Sequence, residues 1–127
     1  MTEAFVLDAS ALLAMLNAEA GADVVATAIG ASVMSTVNWS EVVQKTAEHG
    51  LAADALAGEM RVLGLEIVPF DVATAEAAAS LWMSGARSIS LADRACLATA
   101  RSAGLRVLTA DRAWKALDLG IDIQTIR

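Results

Sequence analysis

Cysteine and histidine are nearly absent from this chain of 127 residues, which contains one of each, Cys96 and His49. A single cysteine excludes a disulfide within the chain, and the pair cannot form the usual cysteine and histidine zinc site. A Ser-His-Asp triad is also excluded unless His49 serves it. Because His49 immediately precedes Gly50, we interpret it as the end of a helix, where a positive charge suits the helix dipole.

Long apolar segments are missing as well. The longest stretch without a charged residue, Val24 to Ser40, is too short and too polar to cross a bilayer, which takes about 20 apolar residues. The opening residues, MTEAF, place an acid where a signal peptide has its positive charges. Proline occurs once, whereas 57% of the residues are hydrophobic, as is typical of a helix-rich globular protein. We therefore expect a cytoplasmic protein with a single domain over residues 1–127.

Basic residues are scarce, and the formal net charge of −6 by itself argues against a protein that binds nucleic acid. Their distribution is uneven, because seven of the nine Lys and Arg residues lie within residues 87–127. Seven bases against four acids give this part of the chain a net charge of +3. A polyanion could be held there, and solvated helix faces are the alternative.

The apolar pattern predicts strands that alternate with helices. The expected strands cover residues 4–8, 32–34, 65–70, 105–109 and 121–126. The expected helices cover residues 9–19, 21–30, 35–50, 51–64, 72–85 and 91–104, the third and fourth forming a hairpin around Gly50. This order predicts an α/β fold with a central parallel sheet of about four or five strands and helices on both faces. Sites in such sheets lie beyond the carboxyl ends of the strands.

Four acids stand out against this fold. Asp8 follows the apolar strand FVL, Asp111 follows RVLTA, Asp93 lies in the first turn of the helix before that second strand, and Glu41 lies within the third helix. Each has an ordinary explanation. Asp8 and Asp111 could cap helices, and Asp93 could complete a capping box. Glu41 could pair with Lys45 one turn later. Together, however, three of them would meet at one edge of the sheet, with the fourth on a helix that could lean over it.

Carboxylates gathered at one place repel one another, and some would remain protonated at neutral pH unless a positive charge joined them. A divalent cation resolves that conflict, and ligands that are all oxygen select Mg²⁺ or Mn²⁺. Such a site is suited to the hydrolysis of phosphodiesters, because the metal activates water and neutralises charge on the phosphate. A substrate of this kind would also account for basic residues that are close to Asp93 and Asp111 in sequence.

The chain resembles the PIN domain family, and specifically the VapC-type toxins of bacterial toxin–antitoxin pairs, over nearly its whole length. The first matching segment, FVLDASALLAML, is similar to the opening strand of the family with its D-x-S. The second, VNWSEVVQ, is similar to the helix that carries the family's glutamate. The third, SLADRACLATARSAGLRVLTADRAW, resembles the most diagnostic block, with an aspartate early in a helix, then a strand, then T-x-D.

The resemblance implies roles for particular residues. Four acids would be both the metal ligands and the catalytic residues, namely Asp8, Glu41, Asp93 and Asp111. The hydroxyls of Ser10 and Thr109 would support a ligand or the attacking water, although Ser10 could equally be an ordinary hydroxyl of a first helical turn. Arg112 is similar to a basic residue that often follows the last aspartate.

The resemblance also implies an activity and partners. It implies an endoribonuclease that depends on Mg²⁺ or Mn²⁺ and hydrolyses structured RNA, often transfer or ribosomal RNA. It further implies a homodimer and a paired antitoxin that inhibits the enzyme. The acidic net charge departs from many RNA-binding members of the family, and it leaves the identity of the RNA open.

The helical hairpin of residues 36–64 carries more apolar side chains than one face of a small sheet can cover. Exposed apolar surface commonly marks an interface. We therefore expect the antitoxin to dock on this hairpin as an amphipathic helix, in contact with Leu56, Met60 and Leu63.

Other functions compete with the ribonuclease. A PIN-like module that no longer cleaves and acts through a protein partner is disfavoured by the four intact acids. A phosphatase of the haloacid dehalogenase type needs a second aspartate where this chain has Ser10, and a response-regulator receiver needs paired acids near the first strand and a lysine after the last. A flap nuclease that acts on DNA belongs to the wider family but is generally larger, with a helical arch.

Overall fold

A five-stranded parallel sheet forms the centre of the protein, whose computed structural model describes residues 2–127. Its strands are β1 (Phe5–Leu7), β2 (Val33–Ser35), β3 (Glu66–Val68), β4 (Arg106–Thr109) and β5 (Ile123–Thr125). They lie in the order β3-β2-β1-β4-β5, and all four neighbouring pairs are parallel. The predicted α/β fold with a parallel sheet is confirmed, and the number of strands is five.

Six α-helices connect the strands. They are α1 (Ala9–Leu16), α2 (Ala22–Ala28), α3 (Thr36–Glu48), α4 (Leu56–Val62), α5 (Val72–Met83) and α6 (Leu91–Ala103). Short 3-10 turns follow α2 and β4, at Ile29–Ala31 and Arg112–Ala116. No helix within residues 2–127 is both long enough and apolar enough to cross a membrane.

The strand β1 separates two cores. Phe5 and Leu7 point to one face of the sheet and pack with residues of α1, α2, α3 and α4, whereas Val6 points to the other face and packs with residues of α5 and α6. Successive side chains of a strand alternate between the faces of its sheet, so a strand that is apolar at every position must be covered on both sides. This explains why the run FVL is uninterrupted.

The two central strands β1 and β4 end side by side, with Leu7 paired to Leu108. Asp8, which follows β1, and the segment from Thr109 to Asp111, which ends and follows β4, are therefore brought to the same edge of the sheet, which we call the carboxyl edge. Helix α6 ends where β4 begins, so its first turn lies towards that same edge. The fold thus gathers the sequence positions 8, 93 and 111 at one end of the molecule.

The prediction of a helix over residues 51–64 is wrong for residues 51–55. Helix α3 ends at Glu48, Gly50 turns the chain with φ of +75°, and α4 begins only at Leu56. No side chain caps α4, because its N-cap residue is Ala55. Most of the side chains of residues 51–55 are exposed, so helix formation there would gain nothing from packing, which supplies most of the stability of a short helix.

Candidate active site

Asp8 is the most constrained acid at the carboxyl edge. It is only 5% exposed and is the N-cap of α1, where its Oδ1 accepts a hydrogen bond from the backbone N–H of Ala11 at 2.9 Å. The Ser10 hydroxyl lies 2.8 and 2.9 Å from its two carboxylate oxygens, and the Thr109 hydroxyl donates to Oδ2 at 2.6 Å. Asp8 is therefore a helix cap, as its ordinary explanation requires, and it is also the centre of a buried polar network.

The two hydroxyls join Asp8 to the end of β4. Ser10 Oγ accepts a hydrogen bond from the backbone N–H of Ala110 at 3.0 Å, and Thr109 Oγ1 accepts one from the N–H of Asp111, also at 3.0 Å. Because each hydroxyl accepts from the backbone of the β4 end, its own hydrogen is directed towards the carboxylate. The structure thus brings Ser10 and Thr109 to Asp8, at the place where the sequence predicted polar supports.

Burial dominates the electrostatics of Asp8. Loss of hydration, with a smaller contribution from the negative charge of Asp93, raises the pKa of its carboxyl from 3.8 to about 6. The hydrogen bonds from Thr109, Ala11 and Ser10 lower the pKa, but they offset only part of this effect. A positive charge beside Asp8 would therefore stabilise the ionised form of its carboxyl.

Asp93 and Asp111 complete a row of like charges. Asp93 lies in the first turn of α6, where its N–H donates to the Ser90 hydroxyl at 3.1 Å. Its pKa is raised by desolvation and also by the charge of Asp111, while hydrogen bonds with Ser90 lower it. Asp111 is exposed and caps the 3-10 turn after β4 by accepting from Ala113 N–H at 3.0 Å. The negative charge of Asp111 therefore raises the pKa of Asp93, and the charge of Asp93 in turn raises the pKa of Asp8.

Glu41 is half-buried on α3. The ordinary explanation for it, an ion pair with Lys45, is wrong, because Lys45 instead pairs with Glu48 at 3.4 Å. Arg112 does not reach a carboxylate either: its Nε–H donates to the Arg127 carbonyl oxygen at 2.9 Å. The structure therefore directs Arg112 towards the C-terminal residue, away from the acids it follows in sequence.

The carboxylates fit a hydrated divalent cation. Every candidate ligand atom is a carboxylate oxygen, and none of the ion pairs formed within residues 2–127 involves Asp8, Asp93 or Asp111. In the same part of the chain, no three His, Cys, Asp or Glu side chains are close enough to enclose an ion, so the protein alone does not form a closed cage. Mg²⁺ commonly binds through one or two carboxylates and keeps several waters, and the residues present suit that mode of binding.

The remaining reactive side chains do not form another site. Cys96 is fully buried below the acids, and desolvation together with the charges of Asp8 and Asp93 raises the pKa of its thiol well above the usual value, which removes it as a nucleophile. His49 is exposed at the C-terminal end of α3, with Nδ1 2.8 Å from the Lys45 carbonyl oxygen. The hydroxyl of Ser10 is bonded to Asp8, and no hydrogen bond within residues 2–127 joins His49 to a serine or an aspartate, so these residues contain no Ser-His-Asp triad.

The basic residues of the C-terminal third do not form one patch. Arg101 lies at the end of α6 and donates to the Leu119 carbonyl oxygen at 2.6 Å, and Arg106 begins β4 and pairs with Glu3 at 2.9 Å. Both line a cavity of about 620 Å³ at the amino end of β4, at the opposite end of the strands from Asp8. Proximity in sequence to Asp93 and Asp111 therefore did not place these two arginines near the acids.

Of the three residues predicted to contact a partner, Met60 is wrong as a surface residue, because it is 3% exposed and points from α4 into the core beside the sheet. Leu56 is 9% exposed and also packs in that core, but it still lines a groove between α1, α3 and the segment before α4. Leu63 is exposed, as expected. The apolar pattern of the hairpin could not distinguish buried from exposed positions, since an apolar residue that faces the core and one that faces solvent look alike in sequence.

One buried polar residue beside the acids was missed. Asn38 lies on α3, almost completely buried, and its amide nitrogen donates to the Ala92 carbonyl oxygen at 3.1 Å. The available signal was its position three residues before Glu41, which places both side chains on one face of the helix.

Comparison with known proteins supports the motifs found in the sequence. The PIN domain family model matches residues 5–119, whereas no curated protein matches the chain. A toxin–antitoxin complex from Klebsiella pneumoniae contains a chain similar to this one, with a TM-score of 0.76 and 18% identity over 97% of this chain and 98% of the other.

Two further solved structures have a fold similar to that of this chain. The DNA-bound VapBC from Salmonella typhimurium gives a TM-score of 0.74 with 18% identity over 100% of both chains. A VapC toxin from Mycobacterium tuberculosis that cleaves the sarcin-ricin loop gives 0.72 with 16% identity, over 88% of this chain and 93% of the other. The fold is therefore shared at low identity, and the family match spans most of the sequence. The chain belongs to the PIN domain family and has the fold of the VapC-type toxins.

Proposed function

We propose that this protein is a metal-dependent endoribonuclease and the toxin of a toxin–antitoxin pair. The observation that carries the proposal is the row of partly desolvated carboxylates at the carboxyl edge, with raised pKa values at Asp8 and Asp93 and no basic partner among the ion pairs of residues 2–127. Arranging like charges in this way is unfavourable unless a cation joins them. The PIN family match and the toxin folds of the solved neighbours support the same proposal.

The residues would act as follows. Asp8, Asp93 and Asp111 would hold Mg²⁺ or Mn²⁺ in part through the waters of the ion, with Glu41 bound directly or through water. When bound, the ion would activate water and neutralise charge on the phosphate. Ser10 in α1 and Thr109 at the end of β4 fix the Asp8 carboxylate by donating to it, so that both oxygens are oriented before any ligand arrives. Such prior orientation lowers the free-energy cost of binding and reaction.

Cleavage of RNA should depend strictly on a divalent cation. The purified protein is expected to cut transfer or ribosomal RNA with Mg²⁺ or Mn²⁺ and to stop in EDTA, with activity restored by excess metal, because three carboxylates alone supply no positive charge to a phosphodiester. The assay follows fragments on denaturing gels, using Asp111→Asn as the inactive variant and Asp118→Asn, an exposed acid away from the carboxyl edge, as the matched control. Cleavage that persists in EDTA, or cleavage of DNA alone, would contradict the proposal.

The partner proposed for the toxin is an antitoxin that docks on the helical hairpin. A groove of about 310 Å³ lies between α1, α3 and the segment before α4, with Leu13, Leu16 and the exposed Leu51 among its lining residues. An amphipathic helix suits such a groove. Leu63, which is also exposed and directly follows α4, remains an expected contact. The chains to which this fold is similar include one from a toxin–antitoxin complex, which supports the choice of occupant.

Leu51→Asp and Leu63→Asp should weaken antitoxin binding without changing the melting temperature, because both side chains are exposed and a charge there opposes an apolar partner. We expect a loss of about tenfold or more for each, which corresponds to about 1.4 kcal/mol. Calorimetry with the product of the adjacent reading frame would measure this. Unchanged affinity in both folded variants would move the docking site elsewhere.

Self-association is proposed through a different surface. Trp82 and Met83 at the end of α5 and Leu91 at the start of α6 are large apolar side chains that remain exposed in the single chain. They lie at neighbouring helix ends, so a second copy could cover them together. This surface does not include the hairpin. Each subunit of a homodimer formed through it would therefore still be free to bind an antitoxin.

A further inference from the structure

Asn38 is a buried amide at the contact between α3 and α6. Its side chain is 1% exposed, and its Nδ2 donates to the Ala92 carbonyl oxygen at 3.1 Å. Ala92 is in the first turn of α6, immediately before Asp93. Asn38 is on α3, three residues before Glu41 and therefore on the same face of that helix. The hydrogen bond thus joins the turn that carries Glu41 to the turn that carries Asp93.

The orientation of this amide is fixed by its partner. A carbonyl oxygen can only accept, so the nitrogen of Asn38 must face Ala92 and the Oδ1 must face away. That Oδ1 is buried and has no hydrogen-bond partner among residues 2–127. A buried acceptor without a partner is unfavourable, whereas an apolar side chain of the same size would pack between two helices without this penalty. Stability alone therefore does not account for an amide at position 38.

The turn of α6 that carries Asp93 is held from two sides. Ser90 caps it by accepting from the N–H of Asp93, and Asn38 holds the preceding carbonyl group. The cap fixes the turn relative to its own helix. Among the hydrogen bonds of residues 2–127, the bond from Asn38 is the one that joins this turn to α3, which carries Glu41.

We propose that Asn38 is a positioning residue that sets the separation of Glu41 and Asp93 for a bound divalent cation. The inference rests on the proposed function, because it requires the acids to be metal ligands. Ligand groups must be held to within about 0.5 Å for productive binding, and loss of an outer partner typically weakens metal affinity or activity by about 10–100-fold. The hydrogen bond between Asn38 and Ala92 supplies that restraint across two helices that are far apart along the chain.

Replacing Asn38 by leucine tests the role directly. Asn38→Leu keeps the number and branching of the side-chain heavy atoms and removes both the donor and the unpartnered oxygen, so its melting temperature in EDTA should equal or exceed that of the wild type. Its affinity for Mn²⁺ or Mg²⁺, measured by calorimetry on the protein without RNA, should fall about 10–100-fold. The metal concentration for half-maximal RNA cleavage should rise by the same factor.

A matched control separates positioning from packing. Val42→Ala alters a buried residue one turn along the same helix and leaves the bond to Ala92 intact. It should lower the melting temperature and leave the metal affinity of the folded protein unchanged. Asn38→Ala, made in parallel, loses the hydrogen bond without adding bulk, and we expect the same loss of affinity as in Asn38→Leu.

The outcomes distinguish this inference from the proposed function. Wild-type metal affinity in a folded Asn38→Leu or Asn38→Ala protein would overturn the positioning role and leave the nuclease proposal standing. If neither variant folds, Asn38 serves folding and the positioning role is likewise overturned. Absence of metal binding in the wild type would overturn both.

Discussion

Asp8→Asn is expected to abolish RNA cleavage while increasing the stability of the metal-free protein. Asparagine caps a helix about as well as aspartate, so α1 should begin at the same residue. It cannot supply the negative charge that holds a cation at the carboxyl edge. We expect activity to fall by at least about 10²–10³-fold, the size of effect seen when one electrostatic group is removed from an active site.

The gain in stability should depend on pH. The carboxyl of Asp8 has a pKa of about 6 in the folded protein, against 3.8 as the ordinary value. Below pH 3.8 both states are protonated and burial carries no charge penalty. As the pH rises through this window the unfolded state ionises first, so the wild type loses stability, by about 3 kcal/mol once the pH is well above 6. Asp8→Asn avoids that loss of stability. The gain is reduced by about 1 kcal/mol for each hydrogen bond from Ser10 or Thr109 that the amide cannot accept.

Thermal unfolding in EDTA measures this directly. At pH 7.5 the melting temperature of Asp8→Asn should exceed that of the wild type, and the difference should vanish near pH 4. Asp118→Asn removes an exposed acid and should change neither melting temperature nor cleavage. Protein amounts must be matched, because a toxic wild type limits its own expression. Full ribonuclease activity in verified Asp8→Asn protein would refute a catalytic role for this acid.

Met60→Asp is expected to unfold the protein, or to destabilise it by about 4 kcal/mol or more. Met60 is 3% exposed in the core formed by α4 with the sheet and its helices, and a carboxylate there would lose its hydration without gaining a partner. The matched control is Val62→Asp, two residues later on the same helix and 88% exposed. Val62→Asp should lower the free energy of unfolding by no more than about 1 kcal/mol. Most of that loss would come from placing an acid near the C-terminal end of a helix, where the helix dipole disfavours negative charge.

Chemical denaturation of both variants tests the assignment of α4. Equal stability of Met60→Asp and Val62→Asp would show that this face of α4 is not buried. The comparison also bears on the partner, because any loss of antitoxin binding in Met60→Asp would report unfolding and not a lost contact. Only the exposed positions, Leu51 and Leu63, can test docking itself.

The sequence by itself determined the elements and the family. The strand–helix alternation predicted the parallel sheet, and the predicted helices 72–85 and 91–104 begin where the structure has them, after the caps Asp71 and Ser90. These signals are local, since a cap and its helix are covalent neighbours and an apolar strand needs no knowledge of its partners. The same is true of the D-x-S and T-x-D motifs, whose residues lie within a few positions of each other.

Only the tertiary structure decided what surrounds the acids. Ser10 and Thr109 lie 3.3 Å apart although 99 residues separate them, because the sheet places β1 beside β4. The same packing raises the pKa of Asp8, buries Met60 and places Arg106 at the amino end of β4, away from the carboxyl edge. Burial depends on what covers a residue, and distance across a fold depends on strand order. Neither is encoded by neighbours along the chain, so these properties became visible only when the whole chain was packed.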